Sequence, residues 1–149
     1  MLLSDLVSIL QAAVSPVVLI SGVGLLILSM TNRLARVVDR SRQLGALRRS
    51  CTGGERTRVD AQLSILVRRA RLLRRAIRSS TLCVLMAAVL VIALFLSAFL
   101  RFDGTLTSAA LFVSCLLFLI VALVSFLRDI NLSLVALDLE LEVSGGSDG

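Results

Sequence analysis

Few side chains in this chain can carry covalent or acid–base chemistry. There is no His, Tyr, Trp or Lys, and the three cysteines stand far apart at Cys51, Cys83 and Cys115. A thiolate nucleophile needs a neighbouring base or cation to lower its pKa, and a zinc site needs clustered Cys and His at short spacing. Neither pattern is present. Gly22-x-Gly24 lacks the rest of a phosphate-binding glycine loop and sits inside an apolar run. Proton-coupled carriers keep an ionisable group within the membrane, and no acid interrupts the long apolar runs. The expectation is a non-enzyme with no catalytic residue, no cofactor and no metal ligand.

The residues that do form a pattern lie near the N-terminus. Ser8, Ser15, Gly22 and Ser29 recur every seven residues, Gln11 joins their side, and Asn32 and Arg36 continue it, followed by Asp39 or Arg40 and Gln43. Seven residues are about two helical turns, so these positions share a stripe. Small residues let helices approach closely, and Ser can hydrogen-bond across the contact. Two readings follow. The stripe is a packing seam, against the second and third apolar helices or against another subunit, or it lines a pore with Arg36 and Arg40 as a charged vestibule.

The elements that position this stripe are apolar and long. Hydrophobic residues make up 57% of the 149. Residues 6–31, 79–100 and 106–127 each contain no charge and are bounded by charged residues. A hydrocarbon core about 30 Å thick needs roughly 20 such residues in a helix. Three transmembrane helices are expected, the first retained rather than cleaved, because it begins with Asp5 instead of a basic region. Pro16 is placed to bend it.

Charge orients the spans. Residues 33–78 hold 14 Arg against Asp39, Glu55 and Asp60, a net +11, while residues 128–149 carry a net −4. Arg near span ends is retained in the cytoplasm. Segment 33–78 and the C-terminus are therefore expected inside and the N-terminus outside. Asp103-Gly104 marks a tight link between spans two and three. Without Trp or Tyr there is no aromatic belt, so Arg33, Arg78, Arg101 and Arg128 would anchor the spans by snorkelling.

Segment 33–78 reads as two helices around Ser50-Cys51-Thr52-Gly53-Gly54. In the second, Val59, Leu63, Leu66, Ala70, Leu73 and Ile77 alternate steps of four and three, a coiled-coil seam. In the first, Leu34, Val37, Ser41, Leu44 and Leu47 or Arg48 do the same. No Pro or Gly separates these helices from spans one and two. The expected fold is all-α: three spans, the first two extended into a cytoplasmic antiparallel helical hairpin, and a short cytoplasmic helix at 128–143 before a disordered tail at 144–149. On that last helix Ile130, Leu134, Leu137 and Leu141 share a face, and Asp138, Glu140 and Glu142 are expected to neutralise part of the hairpin. The chain reads as a single membrane domain.

Arg74, Arg75 and Arg78 lie near the inner end of span two, where anionic lipid headgroups attract basic residues by roughly 1 kcal/mol each. Nucleic acid is disfavoured as a partner, because residues 33–78 contain no aromatic residue for base stacking.

The assembled pattern resembles the bacterial integral membrane family called domain of unknown function 2721. Ser15-Pro16, ISGVGLLILSMTNRL at 20–34, RVVDRSRQL at 36–44, RRARLLRRAI at 68–77 and RDINLSLVALDLELE at 128–142 carry the resemblance. It implies a three-span bacterial membrane protein and supplies no catalytic residues. The expected partners are the lipid bilayer, a further copy of the chain or another membrane protein, and anionic lipids. The expected role is a self-associating or partner-binding membrane scaffold. An oligomeric pore lined by helix one, or an anionic-lipid surface sensor, are the alternatives.

Overall fold

The computed structural model describes the backbone of residues 2–100 and 104–145 and the side chains of 7–8, 10–11, 13–100 and 104–133. All regular structure among the described residues is helical. Helix α1 spans Leu2–Ser50, α2 spans Gly54–Leu100 and α3 spans Thr105–Gly145. Each contains a stretch long and apolar enough to cross a membrane. Pro16 lies within α1 without ending it. The 128–143 segment is the continuation of α3 and not a separate element, and residues 144–145 are still helical. The side chains of 134–145, and with them Asp138, Glu140, Glu142 and the apolar face to Leu141, lie outside the described residues, as do 101–103 of the link and the tail 146–149.

The helices contribute to two compact units. The first comprises residues 1–29 and 77–122. Its core joins Val23 of α1, Cys83 and Ala87 of α2 and Cys115 of α3, with Leu19, Ile27, Val84 and Phe118 packed around them. The buried centre uses small side chains, which suits helices that associate by close van der Waals contact. Large apolar side chains face outward instead: Val14, Val18, Leu25, Ile92, Leu96, Val113 and Leu117 are all exposed. Water would penalise such a surface, and lipid would not.

The second unit comprises residues 30–76 and 123–149. Here α1 and α2 form an antiparallel pair joined by Cys51, Thr52 and Gly53. Cys51 N–H donates to the Leu47 carbonyl and closes the last turn of α1 at 3.1 Å. Gly53 has φ +68°, a left-handed conformation that β-carbons disfavour, and so reverses the chain into α2. Val37 and Leu44 of α1 and Val59, Leu73 and Ala76 of α2 are buried in this unit. The α1 seam ends at Leu44. Leu47 and Arg48, expected as its next step, are exposed. Arg48 pairs with Asp60 of α2 there.

The three-four spacing extends well beyond the charged segment. In α1 it covers Ala13, Pro16, Ile20, Val23 and Ile27 in the first unit and Met30, Leu34, Val37, Ser41 and Leu44 in the second, all buried or half-buried. In α3 it covers Ser108, Leu111, Cys115, Phe118 and Ala122, then Ser125 and Asp129. Steps of three and four keep one face inward, which is the geometry of left-handed helix packing.

Candidate functional site

Among the described residues, Asp129 is the one buried acid. It belongs to the second unit and is completely buried. Its position follows from the α3 repeat, seven residues after Ala122 and four after Ser125. A buried carboxylate is costly unless paired and hydrogen-bonded. Two arginines from two different helices meet it. Arg33 Nη1 of α1 donates to Oδ2 at 3.4 Å, and Arg69 Nε of α2 donates to Oδ1 at 3.2 Å. Each carboxylate oxygen takes one guanidinium, and all three helices are tied at one level. The Arg33 guanidinium also lies 5.3 Å from the centroid of the Phe126 ring, one turn before Asp129. A cation over an aromatic face gains a further 0.5–1 kcal/mol or so when exposed.

Beside this pairing is an open cleft of about 260 Å³, lined by Arg33, Arg36, Val37, Arg40, Leu66, Arg69 and Ser133. Arg33, Arg36 and Arg40 share one face of α1 by their spacing of three and four. Asp129 is the only carboxylate paired with any of these four arginines among the described residues. The side chains that could do most here are guanidiniums, and what they can do is bind anions.

The residues singled out from sequence fall elsewhere. Ser8, Gln11, Ser15, Gly22, Ser29, Asn32 and Arg36 are all exposed. The stripe therefore does not pack against the second and third helices of its own chain. The reason is an offset of one residue: Ser15, Gly22 and Ser29 each precede an inward residue, Pro16, Val23 and Met30. One residue rotates the side chain by about 100°. An added β-carbon at Gly22 or Gly24 would meet nothing within 4 Å. Of the stripe, only Arg36 reaches the cleft. Arg74, Arg75 and Arg78 are exposed on α2 and do not line it.

The cysteines are not scattered in space. Cys83 and Cys115 lie in the first unit, both buried, with sulfurs 3.2 Å apart, and Cys115 also donates to the Cys83 carbonyl. Cys51 stands alone in the loop between α1 and α2. Desolvation and the neighbouring Glu55 carboxylate, which also accepts its hydrogen bond, raise this thiol above its ordinary pKa. Among the described residues, no group of three or more His, Cys, Asp and Glu side chains is placed to hold a metal ion.

Sequence reasoning missed Asp129 as a site residue. The signal existed: an acid falls on the continued Ser108, Cys115, Ala122 repeat of an apolar helix. The arginines that meet it lie 96 and 60 residues away, and nothing in their local sequence sets them apart from their neighbours.

No curated protein and no solved structure matches the chain. The family described as Protein of unknown function (DUF2721) matches over residues 13–139, which covers most of both units and includes Asp129. The chain belongs to that family.

Proposed function

We propose that this protein is a non-enzymatic membrane scaffold that self-associates through the outer face of α1. The observation that carries the reading is the exposure of Ser8, Gln11, Ser15, Gly22 and Ser29 on a helix whose other outward residues include Val14, Val18, Leu25 and Leu28. Facing lipid, the Gln11 amide would lose hydrogen bonds to water with nothing in return. Facing a second copy, amides and hydroxyls pair and the small residues allow close approach. The dense arginines of 33–78 favour a cytoplasmic location for that segment and the C-terminus, with the N-terminus outside.

The test is cysteine cross-linking in membranes, in a background with Cys51, Cys83 and Cys115 replaced. Ser15→Cys and Gly22→Cys should form covalent dimers, and Val17→Cys, exposed but rotated well away from the stripe, should not. Native mass spectrometry of the unmodified chain should show a discrete oligomer. A monomer alone in every mild detergent sinks the proposal.

A pore reading is favoured by the continuation of the stripe into exposed Asn32 and Arg36. In that case Ser15→Cys, Gly22→Cys and Ser29→Cys would react with membrane-impermeant thiol reagents, and protection of all three rules it out. A weaker reading is an anionic-lipid surface sensor, favoured by the exposure of Arg74, Arg75 and Arg78 on α2.

A further inference from the structure

We infer that the cleft lined by α1, α2 and α3 in the second unit is a binding site for a phosphate group carrying at least two negative charges. The inference stands apart from self-association and does not depend on it. Four guanidiniums, of Arg33, Arg36, Arg40 and Arg69, line a single cleft together with Ser133. Asp129 neutralises one charge and spends one oxygen on Arg33 and the other on Arg69. Those two arginines are thereby held in place while their remaining N–H groups stay available. Arg36 and Arg40 have no carboxylate partner among the described residues. They repel each other across one helical turn. A fold that gathers four cations and supplies one buried acid to aim two of them is built to receive an anion.

The chemistry of the donors narrows the anion. A guanidinium presents a planar fork of N–H donors that matches phosphate oxygens two at a time. A single carboxylate would leave most of these donors unused. The cleft, about 260 Å³ and open on one side, admits a phosphate with a substituent attached. Its depth leaves two sources. Arg33 follows the uncharged run by two residues, and Arg40 lies seven residues further on, about 10 Å along the helix. That interval covers the headgroup layer and the water beside it, so a phosphomonoester lipid and a soluble pyrophosphate both reach it.

The experiment uses the full chain in nanodiscs. In one arm the lipid is zwitterionic phosphatidylcholine, and inorganic pyrophosphate is titrated by calorimetry. In the other, phosphatidic acid is included, and native mass spectrometry counts the lipid retained by the protein. Saturable binding is expected in at least one arm, and the arm that responds names the source. The paired change Arg36→Gln with Arg40→Gln should weaken it about tenfold or more, since it removes two charged hydrogen-bond donors from the cleft. The control Arg56→Gln with Arg58→Gln removes the same charge from exposed positions near the start of α2 and should leave affinity within about twofold. Circular dichroism and elution volume establish that both variants fold.

Two results overturn the inference. One is the absence of saturable binding in both arms. The other is an equal loss from the two paired variants, which reports bulk charge and not a site.

Discussion

Arg69 Nε lies 3.2 Å from Asp129 Oδ1 across 60 residues of sequence, and the carboxylate it meets is wholly buried. Arg69 is itself mostly buried, while Arg33, on the other oxygen, is partly exposed. Within the second unit one carboxylate thus links side chains of α1, α2 and α3.

Removing the acid should therefore be expensive. Asp129→Ala leaves two inward arginines without their counter-charge, and breaking a buried pair from one side costs about 3–5 kcal/mol. The partial exposure of Arg33 lets water compensate some of this and places the effect toward the lower figure. Thermal melts in detergent should show a clear drop in Tm. Arg69→Gln combined with Asp129→Asn should cost less than the sum of the single changes, as expected for groups in direct contact. Simple additivity would mean the pairing has no energetic weight.

The buried thiols make a second prediction. Cys83 and Cys115 sulfurs are 3.2 Å apart, and a disulfide requires about 2.05 Å. Closing that gap takes a small rotation of two side chains on neighbouring helices. A membrane-permeant oxidant should link them within one chain, read as the loss of two hydrogens by intact mass. Cys115→Ser should abolish the link without producing a Cys51-containing one in the monomer.

Cys51 should behave differently from an ordinary exposed thiol. Desolvation and Glu55 raise its pKa, so less thiolate is present at neutral pH and alkylation is slow. The rate should climb only at higher pH than for a free cysteine. Glu55→Gln removes the charge contribution, lowers the pKa and should speed alkylation at pH 7.5, while the part due to desolvation persists. An unchanged pH–rate curve in the variant would exclude the carboxylate as a cause.

The hairpin loop gives a paired test of backbone strain. Gly53→Ala places a β-carbon on a residue with φ +68° and should destabilise by roughly 1–2 kcal/mol. Gly54→Ala, at the first residue of α2 and with open space around it, should be neutral or slightly stabilising. Equal effects would contradict the loop geometry.

On α1, Gly22→Ile separates fold from assembly. Nothing lies within 4 Å of a β-carbon there, so the melting temperature of the isolated chain should hardly change. The oligomer population in native mass spectra should fall, because a bulky side chain would hold a second helix away.

Much of this architecture was legible in advance. Uncharged runs at 6–31, 79–100 and 106–127 demand helices of membrane length, because an apolar backbone in lipid must satisfy its own hydrogen bonds. Alternating steps of three and four from Val59 to Ile77 marked one inward face, and in the structure Val59 and Leu73 are buried there. These are local signals, each complete within a few turns of one helix.

What remained hidden was the choice between faces and the pairing between helices. Helix α1 carries two seven-residue repeats one position apart, Ser15-Gly22-Ser29 and Pro16-Val23-Met30. Periodicity alone shows that both are stripes and not which one meets its neighbours. Packing put the second inward and left the small polar one exposed. The same holds for Arg33, Arg69 and Asp129 and for Cys83 and Cys115. Sequence by itself determined the three apolar runs of membrane length and the periodicity along them, since these depend on residues within a turn or two, but not that 128–143 would simply continue α3. Only the tertiary structure decided that one acid of α3 would gather arginines from α1 and α2 beside an open cleft, because contacts between distant helices follow from their relative rotation and register, which no single helix contains.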